Sequence, residues 1–227
     1  VEFARMGQLD HVGRYPLHFH EMHGRCQDCY VRDSTVRDTI QRGIVLHDVS
    51  GIRIERNVIF NTVGHNVVVE SALTTGNVID QNLALVNRQP DPLHTQPVLV
   101  AQNDRLPANF WMRSGRNQVT RNVAAGSQSS GFNYDGINGD PIHFVGNTAH
   151  AAMGESRKGE GEFDAHGGLL VLTEHARPET DRLVDFTAFH NAFGLWPEEN
   201  GVSRIERFVA AENGVAIFGL SLIHISQ

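Results

Sequence analysis

Short apolar runs recur along this chain, and each is soon broken by Gly, Asn or Asp. Ile52-Arg53-Ile54-Glu55 alternates with period two, as a half-buried strand does. Val67-Val68-Val69 and Leu169-Leu170-Val171-Leu172 are continuous aliphatic bursts of strand length. No segment shows the 3.6-residue period of an amphipathic helix, so the pattern predicts an all-β chain of many short strands.

The runs repeat. Asn57, Asn82, Asn122, Asn147, Asn191 and Asn213 each stand in a similar place beside a small or aliphatic run, and Ser34 takes that place in the first full unit. The steps from Ser34 onward are 23, 25, 40, 25, 44 and 22 residues. The two long steps contain irregular polar stretches, expected to be insertions at about 87–107 and 154–181. Without them a repeat of 22–25 residues runs nearly end to end. A unit this short cannot bury its own apolar face, so the units must stack. A leucine-rich repeat would need leucines at fixed offsets, and these units mix Val, Ile, Phe and Ala. The expected fold is therefore a parallel β-helix over residues 1–219. The apolar end, 220–227, breaks the pattern and is expected to be a non-native tail.

In such a stack the recurring Asn has a structural role. Successive coils lie about 4.8 Å apart. An Asn at one turn can adopt a left-handed backbone and bond the amide of the next coil, forming a ladder.

Aligning the units exposes a second column. His20, His47, Glu70, Arg113 and Asp135 each end the same strand in successive coils. His18, two residues before His20, points to the same side, and His65 is expected to flank the column. Trp111 and Tyr134 offer aromatic faces beside it for sugar rings. Such a column suits an extended polymer lying along a solenoid face. Two imidazoles and a carboxylate in register can also hold a divalent cation, calcium being one candidate. The candidate catalytic residues are His20, His47, Glu70 and Asp135. The candidate substrate-binding residues are His18, His65, Arg113, Trp111 and Tyr134. Glu70 and Asp135 suit an acid–base pair for glycoside hydrolysis, although two coils place them about 10 Å apart along the axis, just beyond the usual inverting range. Elimination would instead use His47 as base and Arg113 to neutralise a uronate. Salt bridging that serves stability alone is the competing explanation for the column. Asp48, Asp164, His143, His150 and His166 are looser candidates.

Charge and composition narrow the partners. The formal net charge is -7, which argues against nucleic acid. Lys158 is the only lysine, so positive charge is carried almost wholly by Arg, the side chain suited to carboxylates. No run approaches the roughly 20 apolar residues of a membrane span. Val1-Glu2-Phe3-Ala4-Arg5 already reads as a strand, so a piece of a longer protein is expected, and a monomer. Cys26 and Cys29 form a lone Cys-x-x-Cys pair, free or bridged, with His18, His20 and His23 upstream as the alternative partners for a zinc site.

Several longer strings carry a family resemblance. They are Val1 to Gln8, Gly13-Arg14-Tyr15-Pro16-Leu17-His18-Phe19-His20, Arg42-Gly43-Ile44-Val45-Leu46-His47, Asn61-Thr62-Val63-Gly64-His65, Asn109-Phe110-Trp111 and Ala124 to Phe132. Their order resembles the family of cell-migration-inducing hyaluronan-binding protein, transmembrane cell-surface hyaluronidase and fibrocystin-like proteins, over roughly Val1 to Val171. The resemblance implies a right-handed parallel β-helix, an extracellular or cell-surface setting, and hyaluronan or a similar acidic polysaccharide as ligand. In some members it implies hydrolysis of that polymer. The matched positions are His18, His20, His47, His65 and Glu70. The chain departs from the family at Ser71-Ala72-Leu73, where an acidic-Gly turn is usual, and at Asn133, where an aromatic is common. The leading expectation is a glycoside hydrolase. The alternatives are a lyase, a non-catalytic glycan-binding or adhesion module, and a structural segment of a large surface protein.

Overall fold

The computed structural model describes residues 1–9, 11–91, 104, 106–135, 140–152, 167–172, 181–197, 204–219 and 224–226. Its strands fall into three eight-stranded parallel sheets, and each coil gives one strand to each sheet in turn. The first sheet starts at Glu2–Ala4, the second at Leu17–His20 and the third at Tyr30–Arg32. Every strand pairs with its counterpart one coil away, which makes the chain a right-handed parallel β-helix, as the repeat predicts.

Strand parity sets the core. Ile44, Leu46, Val67, Val69, Phe110, Met112, Phe132 and Tyr134 all point inward from the second sheet and are buried. Val36, Ile59, Ala84 and Ala124 do the same from the first sheet, and Ile54, Ile79, Val119 and Phe144 from the third. Like residues stack on like: the Phe110 and Phe132 rings lie parallel with centroids 4.8 Å apart.

The corners explain the asparagines. Asn57 donates to Asn82, Asn82 to Asn122 and Asn122 to Asn147, each through Nδ2 to Oδ1 at 3.0–3.1 Å. Each Nδ2 also bonds a backbone carbonyl, so these buried amides are satisfied. The ladder departs from expectation in two ways. First, the left-handed residue is the one before the Asn: Arg56, Gln81, Arg121 and Gly146 have φ of 52–69°, while the asparagines do not. Second, Asn191 and Asn213 form a rung at a different corner, 3.0 Å apart, between the first and second sheets. The ladder positions of those last coils are held by Phe186 and Phe208, whose rings stack 5.6 Å apart. A third set, Asn77 over Asn117 at 2.9 Å, holds the corner before the third sheet.

Residues Gly167–Leu172 fall inside the stretch expected as the second insertion, yet they form a strand of the second sheet. Residues 154–166 and 173–180, with Asp164 and His166 among them, lie outside the described residues. His224–Ser226 pair with Arg204–Glu206 in the third sheet. Cys26 and Cys29 are joined by a disulfide that closes a turn at one edge, so they are not metal ligands. Among the described residues no helix is long and apolar enough to cross a membrane.

Candidate functional site

The second sheet carries the polar column. His20 pairs with His47, and Leu46, Val69, Met112 and Tyr134 are partners in successive coils. The residues that follow these four, His47, Glu70, Arg113 and Asp135, are therefore neighbours along the axis. The amides of Glu70 and Arg113 confirm that register by donating to the carbonyls of Leu46 and Val69. Asp135 in turn pairs with Leu172 of the next coil. Because 46, 69, 112 and 134 face the core, the column faces outward.

A second outward row runs two residues earlier: His18, Val45, Val68, Trp111, Asn133 and Leu170. Val45, Val68 and Trp111 are buried even though they face away from the core, with Tyr15 packed against them. Arg42 lies over the rings of both Trp111 and Tyr15, at 5.4 and 5.5 Å. Gly43 lets the chain pass from this arginine into its strand, because a Cβ there would meet the Asn66 carbonyl oxygen at 2.5 Å.

Arg42 is the hub of the site, only 1% exposed. It donates to Glu70 Oε1 at 2.6 Å and, through Nε, to Asp104 Oδ1 at 2.8 Å. Glu70 Oε2 receives His47 Nδ1 at 3.0 Å. Asp104 Oδ1 lies 3.2 Å from Nε2 of the buried His65. The other nitrogen of His65 accepts the Ala108 amide at 2.9 Å, and its ring stacks on Trp111 at 4.9 Å. Burial pushes the Glu70 carboxyl up, but Arg42 and His47 outweigh it and hold the group below its ordinary range. Burial dominates at Asp104, whose carboxyl is raised despite Arg42. The two carboxylates keep Arg42 charged in spite of its burial.

Next to this network three imidazoles converge. His18 and His20 have ring centroids 5.0 Å apart, and His20 and His47 4.8 Å apart. One nitrogen of each lies within 4.8 Å of the others, a cluster able in principle to hold a metal ion. Burial pushes the His18 imidazole below its ordinary pKa, so it is neutral at pH 7. Arg113 is exposed beyond Trp111, and among the described residues no carboxylate pairs with it.

Three expected positions turn out differently. Tyr134 faces the interior and is 0% exposed, because its strand neighbours Asn133 and Asp135 take the outward positions. It is a core residue and offers no ring to a ligand. Trp111 faces outward but is 2% exposed beneath Arg42, so it supports the site from below. His65 is likewise buried and acts through Asp104. Of the looser candidates, Asp48 is near the cluster, with Oδ2 3.9 Å from His47 Nε2. His143 and His150 belong to the third and first sheets, away from the column.

Sequence reasoning did not single out Arg42, Asp104 or Tyr15. Arg42 had a signal: it is an arginine beside the strand-opening Gly43, one coil before a glutamate. Asp104 had none, because it sits in an irregular stretch with no register to the repeat.

These features define a right-handed parallel β-helix whose polar chemistry gathers on the outward side of one sheet, over five successive coils. The chain belongs to the CEMIP beta-helix family, whose profile matches residues 1–153. It is 31% identical to mouse fibrocystin-L over 219 residues, which is 88% of this chain and 5% of that protein. It is 30% identical to the mouse cell migration-inducing and hyaluronan-binding protein, over 58% of this chain and 11% of that one. Against the zebrafish cell surface hyaluronidase the identity is 28%, over 59% and 11% respectively. The chain thus spans only a small part of the length of these relatives.

Proposed function

We propose that this chain is the glycan-facing β-helix segment of a larger extracellular or cell-surface protein, and that its outward polar column binds an acidic polysaccharide of the hyaluronan kind. The observation that carries this reading is the column itself. Five polar side chains in register make a strip about 19 Å long, the shape an extended polymer needs. Within it Arg113 is a solvent-facing cation between two carboxylate positions, able to take a uronate through two parallel hydrogen bonds. Two relatives bear names that refer to hyaluronan or hyaluronidase, which supports the choice of ligand class and the cell-surface setting.

Cleavage is the second reading, favoured by the half-exposed His20 and His47 beside Glu70. Glu70 is a poor proton donor, since Arg42 and His47 hold it as an anion. Hydrolysis would need its acid elsewhere, with Asp135 two coils away. Binding without cleavage therefore fits the site better.

The test is to incubate the chain with hyaluronan, measure binding, and follow polymer length on a gel. Binding without shortening is expected, weakened about 10-fold by Arg113→Gln and further by added salt. Shortening that disappears in His47→Ala would replace this reading with the enzymatic one. Neither binding nor shortening would leave a structural segment.

A further inference from the structure

We infer that His18, His20 and His47 form a binding site for a divalent metal ion of the zinc class, oriented from outside by the Gly13 carbonyl and by Glu70. Hydrogen bonds at the far side of two rings make the case. His18 Nδ1 lies 3.0 Å from the Gly13 carbonyl oxygen, which can only accept. That nitrogen therefore carries the ring proton, and Nε2 keeps its lone pair. His47 Nδ1 lies 3.0 Å from Glu70 Oε2, an anion that also only accepts, so His47 Nε2 is left as a donor atom too. A metal-binding histidine is commonly fixed in this way, by a carbonyl or carboxylate on its other nitrogen.

The three rings also converge, with one nitrogen of each close to the others. His18 Nε2 is buried and has no hydrogen-bond partner, although a buried polar atom is almost always satisfied. The donor atoms of the three residues lie within 4.8 Å of one another. Tetrahedral zinc with bonds of about 2.05 Å sets its ligand nitrogens about 3.4 Å apart. The half-exposed His20 closes that difference by a small rotation, since its one ionic contact among the described residues, with Glu21, is 3.9 Å long. The His20 side leaves the fourth position open to solvent. Asp48 Oδ2, 3.9 Å from His47 Nε2, stands ready to hold a water there.

The donor set decides the class of metal. Calcium takes six to eight oxygen ligands. Three imidazole nitrogens suit zinc, cobalt, nickel or copper instead. Calcium, one candidate among the divalent cations that the sequence suggested, asks for a different donor set. Arg42 then acquires a further role, because by fixing Glu70 it sets the tautomer of His47 at one remove.

The chain, stripped with chelator, is titrated with Co(II) or Zn(II) in the absence of any glycan, so the result is independent of the glycan reading. One ion per chain is expected by elemental analysis, with the visible bands of a low-coordinate Co(II) centre that zinc displaces and excess calcium does not. His20→Ala, at an exposed position that leaves folding intact, is expected to weaken binding at least 100-fold, and His47→Ala likewise. Glu70→Gln is expected to keep the stoichiometry and weaken binding about 10- to 100-fold. His190→Ala, at an exposed residue paired with Glu212, should change nothing. The proposal is overturned if Co(II) fails to bind, if His20→Ala binds as tightly as the parent, or if calcium displaces the ion.

Discussion

The first five coils and the last three follow one backbone path and differ in what fills it. In the early coils the corner before the first sheet is a ladder of buried amides, Asn57 to Asn147. In the later coils the same corner holds stacked Phe186 and Phe208. The outward face of the second sheet changes in parallel. His20, His47, Glu70, Arg113 and Asp135 line the early coils, whereas the later ones carry Leu170 and Trp196 in the neighbouring outward row, Trp196 lying edge-on to Phe193 and Phe218. A parallel β-helix therefore imposes spacing and parity but not chemistry. Either hydrogen-bonded amides or apolar rings satisfy a buried corner, and only the outward rows distinguish a polar strip from an apolar one.

The sharpest test of this contrast is Arg42. It is buried against Glu70 and Asp104, so Arg42→Ala leaves two carboxylates without their cation. A loss of about 3–5 kcal/mol at pH 7 is expected by chemical denaturation. A loss under about 1 kcal/mol would mean that the site is far better hydrated than its burial indicates. The ladder comes next. Asn82→Ala removes the acceptor of the Asn57 amide and side chain and empties the rung below Asn122. About 2–3 kcal/mol is expected, with unfolding of the early coils ahead of the Phe-cornered ones in hydrogen exchange. Uniform unfolding would erase the distinction between the two halves.

The smallest effect is expected on the outward side of the third sheet. Burial raises the Asp80 carboxyl, but bonds from Arg121, Thr120 and Gln81 outweigh it and leave it below its usual value. A carboxyl lowered by folding stabilises the fold above its unfolded pKa of about 3.9, and that stability is lost as pH falls through the folded value. Since Arg121 is mostly exposed, Asp80→Asn should cost about 1 kcal/mol or less at pH 7. The difference from the parent should shrink toward zero in acid, as urea midpoints measured from pH 7 to pH 2 will show. A gap that persists at pH 2 would assign the cost to packing.

Much of this was legible in the residues because a solenoid turns register into arithmetic. The strand endings at His20, His47, Glu70, Arg113 and Asp135 lie in one column because each follows an inward aliphatic or aromatic residue by one step. The same parity, applied one residue further back, puts Tyr134 in the core. Asn191 was misplaced because residue type guided the match, and a corner that accepts Phe186 as readily as Asn147 cannot be followed by type. The left-handed turn position escaped for a related reason. Arg56, Gln81, Arg121 and Gly146 share a backbone angle and nothing else. Asp104 was out of reach because it belongs to no repeat.

Asp104 also shows how such a molecule can change. It falls between Leu83–Arg88 of the first sheet and Ala108–Met112 of the second, and two coils on the chain between Thr148–His150 and Gly167–Leu172, which join the same two sheets, is also longer than in the other coils. Length can be added or removed there while the strands on both sides keep their partners. The coils thus act as a fixed rack and this corner as its slot: a replaced loop can bring a different side chain to Arg42, and so retune the charge around Glu70 and His47, without moving a single rung.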